Sequence, residues 1–410
     1  MEEWKEYKLG DLIVLSSGGT PNKSNSSYWG GDIPWISAKA MYDDYLYSSD
    51  MTITREGLNN GSKLAPVNSI LLLTRGSGLF NRIPVCLVKR EMAFNQDVKC
   101  IESINQNIVS TLFLFYWLMG NKQEISNILE TTGIGAGKID TERLKGIHIK
   151  LPPIQIQQVL IQFAESLMLK IEVNRRINDN LEQQAQALFK SWFVDFEPFK
   201  DSGFQETEQG MIPKGWEVVS LSAIADYING LAMQKYRPIE GEKGLPVLKI
   251  KELGQGNPDD SSELCSPSLI GEKYIIDDGD IIFSWSGTLM VKVWCGGKCG
   301  LNQHLFVVEP KDYPHWFAYQ WTRHHLDNFI HIAKDKAVTM GHIKRGELDK
   351  AKVVVPDGTS MAAIDTMMKP LHRQIISNKI ESRRLASLRD TLLPRLMSGE
   401  LKVNEIENAI

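Results

Sequence analysis

Several things that would place this sequence quickly are missing from it. No apolar run approaches the roughly 18 residues that a membrane span requires, and the richest stretch, Thr111–Met119, is far too short. Five cysteines, Cys86, Cys100, Cys265, Cys295 and Cys299, are an odd number scattered through 410 residues, which argues against a disulfide framework and for a reducing compartment. The opening Met-Glu-Glu-Trp-Lys-Glu has neither a basic start nor an apolar core, so a secretory leader is not expected and the cytoplasm is. There is no cationic excess either. Lys and Arg total 46 against 50 Asp and Glu, a net charge of −4, which disfavours a protein that holds a polyanion by bulk charge alone.

Catalytic and metal-binding signatures are also missing. Thr131-Thr-Gly-Ile-Gly-Ala-Gly-Lys138-Ile139 resembles a phosphate loop, but Thr132 stands where the first glycine is needed and Ile139 where the Mg²⁺-binding hydroxyl is needed. A flexible turn is the expectation. Cys295-Gly-Gly-Lys-Cys299 lacks a second ligand pair for zinc and reads as a hairpin tip between Val291–Trp294 and Leu305–Val308. His324, His325, His331 and His342 follow no ligand spacing. No Gly-x-Ser-x-Gly elbow or recognisable Cys/His pair occurs. By elimination the chain reads as a binder, without a catalytic residue or a metal of its own.

What the sequence does have is itself, twice. Trp4-Lys-Glu-Tyr-Lys-Leu-Gly-Asp-Leu-Ile matches Trp216-Glu-Val-Val-Ser-Leu-Ser-Ala-Ile-Ala, and Ile33-Pro-Trp-Ile36 matches Leu245-Pro-Val-Leu248. Further on, Asn95-Gln96 meets Asn302-Gln303, Trp117 meets Trp321, and Ile139, Leu144 and Pro152 meet Ile343, Leu348 and Pro356. These matches are weak singly, but they recur in one order, which marks an internal duplication. Each copy begins with about 150 residues of short β-type runs (Ser69–Thr74, Pro84–Val88, Gly279–Ser284) cut by turn residues. A helical stretch follows, Ser110–Leu129 or His315–Ala333. Each copy then crosses a proline-marked joint into a long helix.

The long helices carry a heptad. Leu160, Leu167, Leu181 and Leu188 share one row, and Ala164, Ile171, Ala185 and Trp192 the other. In the second copy Ile364, Leu371, Leu385 and Leu392 pair with Met368, Ile375 and Leu396. Such spacing predicts a coiled-coil seam, with Leu167, Ile171, Leu181, Leu188, Leu371, Ile375, Leu385 and Leu392 in it. Asn174 and Asn378 interrupt it near the helix midpoints, and antiparallel pairing would set the two amides face to face on a pseudo-twofold axis. About 40 residues at 1.5 Å each give a spacer of ~60 Å, against ~34 Å for a turn of duplex. The expected fold is α+β: two similar mixed α/β domains at opposite ends of an antiparallel two-helix coiled coil, as a pseudo-twofold internal repeat. The expected segments are domain one at 1–152, the central helix at 153–197, domain two at 198–357, and the C-terminal helix and tail at 358–410.

The first part of each copy has a composition suited to recognition. Tyr28-Trp-Gly-Gly-Asp-Ile-Pro-Trp35 is aromatic and turn-rich. Leu73-Thr-Arg-Gly-Ser-Gly-Leu-Phe-Asn-Arg82 sets Arg, Ser and Asn on a glycine loop, suited to phosphates and base edges, and its counterpart is Ser284-Trp-Ser-Gly-Thr-Leu-Met-Val-Lys292. Asn95-Gln96 and Asn302-Gln303 supply amides able to pair with adenine edges.

At this point the sequence resembles the specificity subunit of type I restriction–modification enzymes. The matching stretches are Trp4–Asp11, Ser17-Gly-Gly-Thr-Pro21, Gly31-Asp-Ile-Pro-Trp-Ile36 and Ser69-Ile-Leu-Leu-Leu-Thr-Arg-Gly-Ser-Gly78. So are Ile147-His-Ile-Lys-Leu-Pro-Pro-Ile-Gln155 and Ser191-Trp-Phe-Val-Asp-Phe-Glu-Pro198 around the first helix, Pro213-Lys-Gly-Trp216, and Leu393-Pro-Arg-Leu-Met-Ser-Gly-Glu-Leu401. The resemblance implies two target-recognition domains, each reading half of a bipartite double-stranded DNA sequence. It implies helices that act as a ruler and dock two modification (methyltransferase) subunits and up to two restriction (motor/nuclease) subunits. S-adenosylmethionine, ATP and Mg are then expected on those partners and no cofactor on this chain, which lacks both the Asn/Asp-Pro-Pro-Tyr/Phe tetrapeptide of adenine methyltransferases and the motor's phosphate loop. Val355-Pro-Asp-Gly-Thr359 departs from the usual Pro-Pro and Gln, leaving the start of the second helix less defined.

On that resemblance the DNA-contact candidates in the first domain are Lys23, Tyr28, Arg75, Ser77, Asn81, Arg82 and Lys138. In the second they are Trp285, Ser286, Lys292, Asn302, Gln303 and His304, with Lys344 as a phosphate contact. A stand-alone duplicated DNA-binding adaptor or regulator is the alternative, and it would footprint DNA tightly on its own. A carbohydrate binder built on the aromatic loops is a third. By segment, residues 1–150 are neutral, 151–200 carry −1, 201–358 carry −5 and 359–410 carry +2. A reader whose partners clamp the DNA needs positive charge only at its loops.

Overall fold

The structure is a computed structural model that describes residues 4–133, 135–335 and 343–401; His342 of the histidine group lies outside the described residues. The chain divides into two compact units, one of residues 1–169 with 386–410 and one of 170–385. Each unit therefore takes a part of both long helices.

In the first unit the start and the end of the β-region are stitched together. Strand Lys5–Lys8 runs antiparallel to His148–Leu151, with Tyr7 opposite Ile149. The main sheet orders Ile13–Ser17, Val98–Ser103, Ile70–Leu73, Val85–Val88 and Tyr45–Leu46. Its central strands Ile70–Leu73 and Val85–Val88 are buried at every position, which is why they are written as unbroken apolar runs rather than as an alternation. A second sheet orders Thr52–Ile53, Trp29–Ile36, Met92–Phe94 and Lys63–Ala65, with Trp35 parallel to Ala93. Helix Thr111–Gly120 backs the main sheet. Phe113 through Met119 are all buried, and Ser110 caps its first turn by accepting from the Leu112 amide at 3.2 Å.

The second unit repeats these pairings. Glu217–Ser220 runs antiparallel to Lys352–Val355. One sheet orders Ala225–Asn229, Leu305–Pro310, Ile281–Ser284 and Met290–Val293; the other orders Leu264–Cys265, Leu245–Leu248, Cys299–Leu301 and Ile275–Ile276, with Val247 parallel to Gly300. Helix His315–His324 takes the place of Thr111–Gly120, so that Trp117 and Trp321 each stand in the second turn of their helix, both buried. Hairpin Phe204–Thr207 with Gly210–Pro213 lies between the first long helix and strand Glu217–Ser220.

Two local expectations change. The Cys295–Cys299 stretch is not a hairpin tip, because Met290–Val293 pairs with Ile281–Ser284, while Cys299–Leu301 joins the other sheet and the chain returns to the first only at Leu305. A Gly-Gly turn in the sequence does not say which sheet receives the next strand. The helical stretches also break in two, at Asn121 and at His325.

The long helices are Ile154–Phe193 and Gly358–Met397, of 40 residues each. The second begins cleanly despite its atypical joint. Asp357 accepts from the Ser360 amide at 2.9 Å and from its hydroxyl at 3.0 Å, an N-cap in place of the usual proline pair. Those bonds also hold the Asp357 carboxyl below its ordinary value.

In the first unit Leu160, Ala164 and Met168 enter the same core as Leu393, Leu396 and Met397. In the second, Ala185, Phe189 and Phe193 share a core with Ile364 and Met368. Of the seam positions, Asn174, Ile375 and Asn378 are buried, whereas Leu167, Ile171, Leu181, Leu188, Leu371, Leu385 and Leu392 are half-buried. Within the second unit the amide facing Asn378 is Asn178, not Asn174. Asn378 donates to the Asn178 carbonyl oxygen at 2.9 Å, and Asn178 donates to the Ile375 carbonyl at 3.1 Å. Asn174 instead donates to Glu381 at 2.7 Å and to the Ser382 hydroxyl at 3.3 Å. One turn separates Asn174 from Asn178, so the heptad found the buried polar layer and misplaced its register by one turn.

Candidate functional site

In the first unit strand Ile70–Leu73 delivers the chain to Thr74 and then to Arg75 at the sheet's end. Arg75–Gly76 makes a short strand against Gly137–Ile139, with Arg75 directly opposite Lys138. Residues directly opposite on antiparallel strands point to the same side, and two like charges there repel. Lys99 adds a third cation. Burial and the neighbouring Arg75 charge depress its ammonium, and it donates to the Ser17 hydroxyl at 2.5 Å. Among the described residues none of the three makes an ion pair with a carboxylate. An anion at this point relieves the repulsion and gains from each cation.

Ser77 follows on a short helical turn, Ser77–Phe80, where it is exposed and where Phe80 leaves 51% of its surface uncovered. Asn81 ends that turn, exposed, its amide donating to the Gly78 carbonyl at 3.0 Å. Arg82 is engaged elsewhere. It donates to the Tyr42 carbonyl at 3.2 Å and to the Met41 carbonyl, and it lies 5.0 Å over the Tyr42 ring, so it braces the 41–42 loop. Lys23 and Tyr28 lie in the loop before strand Trp29–Ile36; Lys23 is exposed, and the Tyr28 carbonyl accepts from the Thr54 amide at 3.0 Å.

In the second unit the corresponding loop holds Trp285 and Ser286. Trp285 donates through Nε1 to Asn229 at 3.0 Å, and Ser286 Oγ lies 3.0 Å from His304 Nδ1. Gln303 Nε2 is 3.5 Å from His304 Nε2. Trp285, Ser286, Gln303 and His304 thus form one group. Asn302 underlies it as a buried turn-former, accepting from the His304 amide at 3.2 Å. Lys292 is turned to the Gly254 carbonyl at 2.8 Å and tethers a neighbouring helix end. Lys344 is exposed just before Arg345, which donates to the Tyr227 carbonyl at 2.6 Å.

Serine beside histidine invites a hydrolytic reading, but the far side of His304 meets an amide, and among the described residues no carboxylate bonds the ring to orient it. Three other histidines, His315, His325 and His372, are tied up in internal contacts. His315 Nδ1 meets His372 Nε2 at 2.7 Å, and His325 meets the Lys352 carbonyl at 2.8 Å. Among the described residues no three His, Cys, Asp or Glu gather as metal ligands, and no helix is long and apolar enough to cross a membrane.

Two residues of the site were not among the DNA-contact candidates, although the sequence marks Gln96, with Asn95, as an amide able to pair with an adenine edge. Lys99 sits on an alternating strand that gives no hint of the cations beside it. Gln96 stands at the tip of a turn whose residue Asp97 accepts, through its carbonyl, from the Thr74 amide at 2.8 Å and the Thr74 hydroxyl at 3.0 Å, next to Arg75. The Asn95-Gln96 dipeptide was its only signal.

Comparison with known proteins gives a consistent result. The model of the type I restriction modification DNA specificity domain matches residues 1–183 and again 213–383. The specificity subunit of type I restriction enzyme MjaIX from Methanocaldococcus jannaschii is 28% identical over 99% of this chain and 95% of its own length. That of type I restriction enzyme HindI from Haemophilus influenzae is 23% identical over 98% of this chain and 100% of its own. Among solved structures, the S subunit of a type I restriction-modification system from M. genitalium superposes with a TM-score of 0.53 at 15% identity, covering 97% of this chain and 96% of that one.

Proposed function

This chain belongs to the type I restriction modification DNA specificity family, with two copies of the specificity domain, and on that premise we propose that each unit reads one half of a bipartite sequence in double-stranded DNA. The paired long helices act as a coiled-coil spacer that relates the two copies by a pseudo-twofold and fixes the interval between half-sites. They also dock two methyltransferase subunits and up to two restriction subunits. The chemistry, with S-adenosylmethionine, ATP and Mg, belongs to those partners, and this chain supplies recognition.

The observation that carries the reading is the Arg75–Lys138 pair with Lys99 beside it: cations gathered at a sheet's end, none of which forms an ion pair with a carboxylate among the described residues. Backbone phosphate is the anion that a DNA reader brings to such a place, and it fixes the register from which neighbouring side chains reach base edges. The Trp285, Ser286, Gln303 and His304 group occupies the equivalent place in the second unit and offers hydrogen-bonding and stacking groups rather than charge. The even charge balance of the chain fits a reader held on DNA by its partners.

The test is methylome sequencing of cells expressing the chain with its methyltransferase and restriction subunits. The reading expects a methylated motif in two parts separated by an unread spacer. Tight footprinting by the isolated chain, with no methylated motif in the cells, would instead mark a stand-alone adaptor.

A further inference from the structure

Both units contain the same four-residue turn at the same place, and each carries a glutamine at its second position, exposed in the first unit and half-buried in the second. In the first unit Asn95-Gln96-Asp97-Val98 leaves the strand parallel to Trp29–Ile36, and in the second Asn302-Gln303-His304-Leu305 leaves the strand parallel to Leu245–Leu248. Each turn closes by a bond from its fourth amide to its first carbonyl, Val98 to Asn95 at 3.4 Å and Leu305 to Asn302 at 3.0 Å. In each, the buried Asn accepts from the amide two residues on, at 3.2 Å in both. A glycine packs against the base of each turn. A side chain on Gly18 would place its Cβ 2.0 Å from the Phe94 carbonyl oxygen, and one on Gly230 would lie 2.3 Å from that of Asn302.

The geometry accounts for the Asn and the Gly, but not for the Gln. Gln96 is exposed, and its carbonyl oxygen accepts from the Thr20 hydroxyl at 2.7 Å. The Leu231 and Gly19 amides bond the equivalent carbonyls of Leu301 and Phe94, so Ala232 stands where Thr20 does and has no hydroxyl to offer. Gln303 faces His304 instead. The same side chain thus recurs in the same turn with different internal partners, so no single internal contact accounts for it in both units. Each turn is also fastened to the loop that holds the candidate contacts, by Thr74 to Asp97 in one unit and by Ser286 to His304 in the other.

We propose that Gln96 and Gln303 are specificity-determining residues, each reading one base pair of its own half-site through the carboxamide, with Asn95 and Asn302 as the scaffold beneath. A carboxamide presents a donor and an acceptor side by side, the pattern that matches adenine in the major groove. Thr20 takes one lone pair of the Gln96 oxygen and orients the amide, leaving the second lone pair and both N–H groups for a base. This rests on the functional reading above.

The test uses the full chain with its methyltransferase subunits and compares the methylated motifs of wild type, Gln96→Ala, Gln303→Ala and Thr20→Val. Gln96→Ala should loosen one position of one half-site about tenfold or more, the range for a lost bidentate contact, and Gln303→Ala one position of the other. Thr20→Val should loosen the same position as Gln96→Ala, but less. Gln96→Glu and Gln303→Glu, which exchange the donor for a second acceptor, should move preference at those positions toward the cytosine amino group. Copurification with the methyltransferase checks that each variant is folded. Unchanged motifs in folded variants, relaxation of the same half-site by both, or an equal loss on all sequences overturns the assignment. If wild type itself leaves no two-part motif, the functional reading fails and takes this inference with it; if wild type does and the variants copy it, only the glutamine assignment fails.

Discussion

Arg75 and Arg82 are the same residue type, seven positions apart on one glycine-rich loop, and the sequence offered no means of separating them. The structure does, because backbone carbonyls at Met41 and Tyr42 meet one guanidinium, while Lys138 faces the other. Which arginine finds carbonyls depends on contacts forty residues away. Lys292 likewise reads as a free cation and is tied to Gly254, whereas Lys99 reads as a strand residue and belongs to the cation group. A consequence can be measured in the assembled complex by titrating DNA affinity against salt. Arg75→Ala and Lys138→Ala should each weaken binding on every sequence and each lower the slope of log affinity against log salt by about 1, the signature of one lost phosphate contact. A loss confined to one base position, with the slope intact, would make either residue a base reader.

At the level of elements, periodicity was the most legible signal. The two 40-residue helices and the buried polar layer follow from heptad spacing, because apolar burial at a helix contact repeats every seven residues. The partner of each amide does not follow, since a stagger of one turn leaves the apolar rows aligned and moves the polar contacts by four residues. The strands were legible as apolar runs, but not their sheets, as Cys299–Leu301 shows. Asn178 and Asn378 make an element-level prediction. Asn378→Leu alone leaves the buried Asn178 carbonyl oxygen unmet and should cost about 1–3 kcal/mol in denaturant unfolding. Replacing both by Leu should recover that loss or exceed it while relaxing the register, since a paired buried amide trades stability for alignment. A double variant as unstable as the single one would show that the layer is supported by the Ile375 carbonyl and Gln374, and not by the pair.

Over the whole chain, duplication was read from a handful of weak matches in a common order, and strand pairing repeats it where the sequences have little else in common. The closing ladders, Lys5–Lys8 against His148–Leu151 and Glu217–Ser220 against Lys352–Val355, set the entrance and the exit of each reading segment side by side. A segment whose ends are neighbours can be lifted out and replaced by another of different length without reshaping what holds it. On the proposed function, recognition would then be inherited by cassette: a recombination event that crosses at both seams would exchange one half of the target and leave the other half, and the interval between them, as they were. Exchanging residues 5–151 for the matching segment of a relative, followed by methylome sequencing, should return a hybrid motif with one new half and an unchanged spacer. A motif altered in both halves would show that the segments do not read independently. Drift at single contacts changes a target by one base pair and risks a subunit that reads nothing, whereas exchange at the seams moves between finished vocabularies in one step.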